Sequence, residues 1–284
     1  FVLLDEQQVA YRVVLNAVKQ ASDANTKTAV VVTGGPGSGK SVIALSILGE
    51  LYRQGRPAIH ATGSSAFTQT MRKVAGNRDR RVQHLFVYFN SFMTSEKNQF
   101  DVLIADEAHR IRESSNSRYT RASDRSTKRQ AEELLDVARV PVFLLDEHQV
   151  VRPGEIGTVA DIKEAAARQG VQVSVIELDA QFRSGGSRAY EEWVLRLLGL
   201  SDRGPSPWLG DDHFQLLVAD SPAQMEELLI QKQHDGYSAR MSAGFCWPWS
   251  KPKQGAALVN DVVVDQWSRP WNNPEERAHQ GAPP

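Results

Sequence analysis

The segment from Thr28 to Leu51 limits the fold more than any other part of this chain. Thr28-Ala29-Val30-Val31-Val32-Thr33 reads as a strand, Gly34-Gly35-Pro36-Gly37-Ser38-Gly39-Lys40-Ser41 follows it, and Val42 to Leu51 reads as a helix. A Gly-x4-Gly-Lys-Ser turn between a strand and a helix is a phosphate cradle. Glycine lets backbone N–H groups come close to an anion, and the start of the helix offers its positive end. On this reading Gly35, Pro36, Gly37, Ser38 and Gly39 shape the cradle, and Lys40 neutralises charge on β- and γ-phosphates. The Ser41 hydroxyl is then a hard-oxygen ligand for Mg²⁺, so the implied ligand is ATP with Mg²⁺.

Further β-branched runs, at Ala58 to Thr62, Asp101 to Ala105, Val140 to Leu145 and Val171 to Leu178, are separated by helix-like stretches. Runs such as Val102-Leu103-Ile104 and Val142-Phe143-Leu144-Leu145 are apolar on both faces, as strands covered on both sides must be. The fold class expected is α/β, a parallel sheet flanked by helices. Upstream, Asp5 followed by Gln8 resembles a capping box, and the apolar spacing from Val9 to Ala21 predicts a helix over 5–21.

Two of the strands end in acid. Asp106 closes Val102-Leu103-Ile104-Ala105 and so projects from the carboxyl end of a parallel strand, where ligands of open α/β sheets bind. A carboxylate there can hold magnesium through water, and the adjacent Glu107 can take a proton from an attacking water. His109, next in Asp106-Glu107-Ala108-His109, serves either packing or a link to the neighbouring motif, or else a catalytic contact. Val140 to Leu145 leads into Asp146-Glu147-His148-Gln149, and the neutral amide of Gln149 can report a γ-phosphate by donating to it or to the attacking water.

The chain has 284 residues, a hydrophobic fraction of 41% and a net charge of -1. That is enough for one main domain and an appendage, and it gives no whole-molecule attraction to nucleic acid, so such a partner needs a local basic surface. With Cys246 as the only cysteine, an internal disulfide and a cysteine zinc cluster are excluded. No apolar run of about 18 residues occurs and the first residues lack a signal-peptide pattern, so a soluble, cytoplasmic protein without a membrane partner is expected. The missing initiator methionine suggests a trimmed chain. Between Arg110 and Gln130 seven basic residues face only Glu113 and Asp124, which predicts a mobile basic loop able to track a phosphate backbone or simply to be solvated. Gly199 to Asp212 reads as a linker or surface crossing, and the tail from Arg269 to Pro284 as frayed. Trp247 and Trp249 beside Lys251 and Lys253 could stack on bases or pack in a core.

The order of phosphate loop, Asp-Glu-Ala-His, Leu145-Asp146-Glu147-His148-Gln149 and Gln181-Phe182-Arg183 resembles the superfamily 1 helicases. More narrowly, it resembles a bacterial group related to the Schlafen helicase domain. The Leu-Asp-x-x-Gln element favours superfamily 1, since superfamily 2 carries Ser-Ala-Thr there. The resemblance implies a RecA-like P-loop NTPase domain, with Gln7 as the amide that reads adenine and Arg183 as an arginine finger. It also implies a second RecA-like lobe, but the Thr/Gln/Gly element and late Arg-rich helix of such a lobe are not found after Arg183. The expected organisation is therefore a RecA-like ATP-binding domain over 1–183 and an incomplete second helicase lobe over 184–284. The expected activity is ATP hydrolysis coupled to work on DNA or RNA, single-stranded for preference, with a protein partner completing the second lobe. The competing expectation is an ATP-dependent switch or scaffold for a partner protein, in a defence setting, without translocation. A P-loop kinase is disfavoured for want of an acceptor-site signature.

Overall fold

The computed structural model describes residues 3–77, 79–150, 153–178, 187–212, 214–243, 246–248, 250 and 256–270. Contacts divide the chain into a larger unit, 1–214, and a smaller one, 215–284. The expected boundary at 183/184 falls outside the described residues.

The larger unit begins with helix α1 (Asp5–Ala24) and then alternates β1 (Thr28–Gly34), α2 (Lys40–Arg53), β2 (Ala58–Thr62), α3 (Ser65–Val74), α4 (Arg80–Gln83) and β3 (Phe86–Tyr88). It continues with β4 (Phe100–Asp106), α5 (Gln130–Asp136), β5 (Ala138–Leu145), α6 (Val159–Arg168), β6 (Gln172–Leu178) and α7 (Arg188–Leu197). The six strands form one sheet in the order β3-β2-β4-β5-β1-β6, and every pairing is parallel. The α/β architecture expected from the doubly apolar runs is therefore the one observed.

Alternation along each strand divides the core into two layers. Val30 and Val32 of β1, Val102 and Ile104 of β4, and Val142 and Leu144 of β5 face α1 and α2, with Val14, Ile43, Ile47 and Leu51. Their neighbours Ala29, Val31, Leu103, Ala105, Phe143 and Leu145 face α5, α6 and the turn at Phe89–Phe92, with Leu134, Leu135 and Ile162. Among the described residues edge strand β6 has a neighbour on one side only, and it is largely exposed.

Two sequence expectations change. The first helix is capped one residue earlier than expected: Leu4 N–H donates to the Gln7 side chain at 3.1 Å, so Gln7 rather than Gln8 reaches back over the first turn. The stretch 110–130 is tied down rather than loose. Asn116 exchanges hydrogen bonds with the backbone of Ser126 at 2.7 and 3.1 Å, and buried Ser115 donates to Glu133 at 2.5 Å and accepts from Gln130 at 2.9 Å. Chain 199–212 is a surface crossing held against α7, where Trp193 donates to the Ser206 carbonyl and Tyr190, Trp193, Trp208 and Phe214 cluster. In the smaller unit, α8 (Pro222–His234) precedes an antiparallel hairpin of β7 (Val262–Val264) and β8 (Trp267–Arg269). Glu226 of α8 accepts from both Trp267 and Arg269 of that hairpin. Trp247 is half-buried, while Trp249, Lys251, Lys253 and the tail from 271 lie outside the described residues.

At the amino end of the sheet Lys27 donates to Asn98 Oδ1 at 3.0 Å and to the Asp136 carbonyl at 3.1 Å. Burial pushes its ammonium down to about 8 from an ordinary 10.5, against the pull of the Asp136 charge. Between those two pH values the folded chain has released a proton that the unfolded chain still holds, so stability should rise with pH across this window. Thermal denaturation from pH 7 to 10.5 should show that rise in the wild type and a flatter profile in Lys27→Met.

Candidate functional site

All six strands run the same way, so their carboxyl ends share one edge, and the acidic and glycine-rich segments gather there. β1 ends at Gly34 and α2 begins at Lys40. Between them Gly37 and Gly39 take φ of 94° and 87°, values that cost a side-chain-bearing residue energy and glycine almost none. Lys40 Nζ donates to the carbonyls of Gly34 at 2.6 Å and Gly35 at 2.9 Å and to Ser38 Oγ at 3.2 Å, so the ammonium sits inside the turn. The first turn of α2 carries no acidic residue, which leaves its positive end uncompensated by the helix's own side chains.

Gln7 is buried against this turn. Its Nε2 donates to the Ser38 carbonyl at 3.1 Å while its Oε1 accepts from Leu4 N–H, so one amide ties the start of α1 to the loop. A Cβ added at Gly39 would lie 2.2 Å from Gln7 Nε2, which shows how closely the two segments pack.

β5 pairs with both β1 and β4, so the glycine turn and Asp106 stand one strand apart, about 10 Å. Asp106 is buried. Its Oδ1 accepts from Glu107 N–H at 3.0 Å, and its Oδ2 lies 3.5 Å from Nε2 of the equally buried His60 on β2. Glu107 adopts φ of 57°, a left-handed conformation that costs a non-glycine residue about 1 kcal/mol and turns the chain sharply off the strand. Its carboxylate meets His109 Nε2 at 3.1 Å and Arg110 Nε at 3.6 Å. The His109 hydrogen bond, helped by the charges of His109 and Arg110, holds the Glu107 carboxyl below the usual range, although burial and Asp106 oppose the shift. Of the two roles left open for His109, the geometry shows a buried contact to the neighbouring carboxylate.

At the end of β5, Asp146 accepts from His148 N–H at 3.0 Å and from the Gln149 side-chain amide at 2.8 Å, which fixes Gln149 against its own turn. The chain then returns to the Asp-Glu-Ala-His segment. Ile156 N–H donates to the Ile111 carbonyl at 2.7 Å, and the backbone of Glu155 pairs with that of Arg112 in an isolated antiparallel bridge. Gly157 packs on the backbone so tightly that a Cβ would sit 1.9 Å from the Ala108 carbonyl oxygen and 2.7 Å from His109 Cα. Sequence reasoning missed Gly157, because nothing near it in the chain signals a contact about fifty positions upstream. Arg183 lies outside the described residues.

A polar cleft of about 550 Å³ opens at the same edge beyond β4. Thr62, Gly63 and Ser64 at the end of β2, Tyr88 and Asn90 at the end of β3, and Arg110 and Arg112 after β4 line it, together with hydroxyls and an amide from 114–117. This cleft was also missed, since its residues come from three segments with no motif among them. Guanidinium, hydroxyl and amide groups on a concave wall suit a phosphate-bearing chain. Among the described residues no three His, Cys, Asp or Glu side chains gather where they could hold a metal ion. Ser41 in the first turn of α2 and Asp106 at the end of β4 carry hard-oxygen donors of the kind Mg²⁺ takes together with phosphate oxygens and water.

Over residues 27–282 the sequence matches the family described as Schlafen group 3, DNA/RNA helicase domain. The chain belongs to this family. No curated protein matches it. Among solved structures it is similar to the Pif1 helicase from Candida albicans, at 16% identity and a TM-score of 0.42, over 69% of this chain and 44% of that one. It is also similar to AMPPCP-bound DnaA from Aquifex aeolicus, at 18% identity and a TM-score of 0.32, over 72% and 55%. The chain thus spans about half the length of these two solved chains. Membership of a helicase-domain family fits the P-loop α/β fold already described. Among the described residues no helix is long and apolar enough to cross a membrane.

The Gly157 contact yields a direct test. Gly157→Ala should destabilise the larger unit by about 1 to 3 kcal/mol in thermal or urea denaturation, because the new methyl must displace backbone. Gly204→Ala, which meets nothing within 4 Å, should change stability by less than about 0.5 kcal/mol.

Proposed function

We propose that this chain hydrolyses ATP in the manner of a superfamily 1 helicase and acts on DNA or RNA. The observation that carries the reading is the gathering, at one sheet edge, of the glycine turn with Lys40, the Asp106-Glu107 pair, the Asp146–Gln149 turn and a cleft with two arginines.

In this reading backbone N–H groups from Gly37 to Ser41 surround the β-phosphate and Lys40 leaves its carbonyl partners for the β- and γ-phosphate oxygens. Ser41 and Asp106 hold Mg²⁺, whose chemistry is to offset negative charge on the phosphates. Glu107, kept ionised by His109 and Arg110, takes a proton from the attacking water. The water oxygen bonds to the γ-phosphorus as the bond from that phosphorus to the β–γ bridging oxygen breaks, and ADP leaves with the bond's electrons. Gln149, held by Asp146, orients that water or reads the γ-phosphate. Gln7 reads adenine with the part of its amide that the Ser38 and Leu4 contacts leave available, and Arg183 serves as the arginine finger. The cleft beside Arg110 and Arg112 takes the sugar-phosphate backbone, single-stranded for preference, and a protein partner completes the second lobe. The setting is the cytoplasm.

The decisive measurement is the ATPase rate with and without single-stranded DNA or RNA. Turnover should rise with polynucleotide and vanish in Lys40→Ala; turnover indifferent to every polynucleotide would sink the helicase-type reading and favour a nucleotide switch. Glu107→Gln should keep ATP binding while hydrolysis falls about 10²- to 10⁴-fold. Arg112→Ala should weaken polynucleotide binding evenly across sequences and reduce the slope of log affinity against log salt by about 1.

A further inference from the structure

Arg110 belongs to two places at once. Its side chain lines the polar cleft, and its Nε lies 3.6 Å from Glu107 Oε2. The 3₁₀ turn that begins at Glu107 sets this: Arg110 N–H donates to the Glu107 carbonyl at 2.9 Å, which stacks residue 110 over residue 107. The cleft presses on the same residue from the other side. Gly63 follows β2, and a Cβ there would lie 2.8 Å from Arg110 Cβ, so the wall of the cleft and the base of this arginine are in contact. His109 grips the same carboxylate oxygen but is buried, while Arg110 is partly exposed and can reach a ligand in the cleft.

We infer that Arg110 is a positioning residue shared by the two sites: it restrains Glu107 when the cleft is empty and is drawn off it by a backbone phosphate of a bound polynucleotide. This rests on the proposed roles of the cleft and of Glu107. A guanidinium is pulled by whichever anion offers the better geometry, and a phosphate can accept its two parallel N–H groups where Glu107 meets only Nε. The existing pair is partly exposed and therefore weak, so the contact can be exchanged without unfolding anything. A carboxylate released from the guanidinium at its side is freer to turn towards water. Polynucleotide binding would thus raise the rate of proton abstraction.

The test uses the whole chain with Arg110→Gln and Arg110→Ala, and a synthetic thymidine single strand as the polynucleotide. Without the strand, kcat should rise about three- to fivefold in both variants while KM for ATP stays put, the size of effect that an exposed ion pair supplies. At saturating strand, the further stimulation should be smaller than in the wild type by the same factor. A variant whose basal kcat is unchanged or lower, and whose full stimulation returns at saturating strand, would show Arg110 to be a backbone contact only and overturn the inference. A wild type that no strand stimulates would instead bring down the proposed function, and the inference with it. Both variants alter a partly exposed side chain, and a circular-dichroism melt matching the wild type confirms that each is folded.

Discussion

The chemistry available to this chain depends on a single strand placement. β5 is hydrogen-bonded to β1 on one side and β4 on the other. That brings the glycine turn and the Asp106-Glu107 pair to either side of Asp146, all at the carboxyl edge of one parallel sheet. Parallel strands need crossover connections, and each of those here carries its helix or turn over a face. The apolar run of every central strand is therefore covered twice, and the polar residues that end the strands have nowhere to go but the edge. Burial supplies the rigidity. Phe143, Leu144 and Leu145 are sealed immediately before Asp146, and Leu103 to Ala105 immediately before Asp106, so the carboxylates leave a fixed platform.

Within that platform the strained and polar groups hold one another. Glu107 turns left-handed off β4, and the cost is offset by the hydrogen bond its N–H donates to Asp106 and by the contacts of its carboxylate with His109 and Arg110. The segment after Gln149 lies against the same turn through Ile156 and Gly157. The ends of β4 and β5 are thus joined at two levels, once through the sheet and once through the loops beyond it. A shift in one end is felt at the other because backbone meets backbone there, with no flexible side chain to absorb it.

Much of this was legible in the sequence, and the boundary of legibility has a physical cause. Strands with apolar residues on both faces, the glycine turn, and the acids at strand ends are local patterns, and five of the six strands follow from them to within about two residues. β3 escaped notice because three residues give no alternation to read, and its place at the sheet edge comes only from its pairing with β2. The cleft escaped because it is assembled from loops after three strands. Gln7 could be named from a resemblance, but its hold on Ser38 could not, since the reach from residue 7 to residue 38 exists only once α1 has folded over α2. The basic stretch 110–130 misled in the other direction: its composition is that of a solvated loop, while Ser115, Gln130 and Glu133 inside it or next to it are buried and bonded to each other.

The Gln7 tie gives the first helix a standing that its place at the start of the chain conceals. One side-chain amide joins the backbone at Leu4 to the backbone at Ser38, with Gly39 kept bare to let it pass. The shape of the phosphate loop is thereby partly written in a helix that contains none of the loop's residues. The two must drift together in evolution: a change that tilts α1 changes the loop, and a loop remodelled for another ligand needs a helix remodelled to match. Transplanting residues 28–53 alone into another sheet would move the motif and leave behind part of what shapes it.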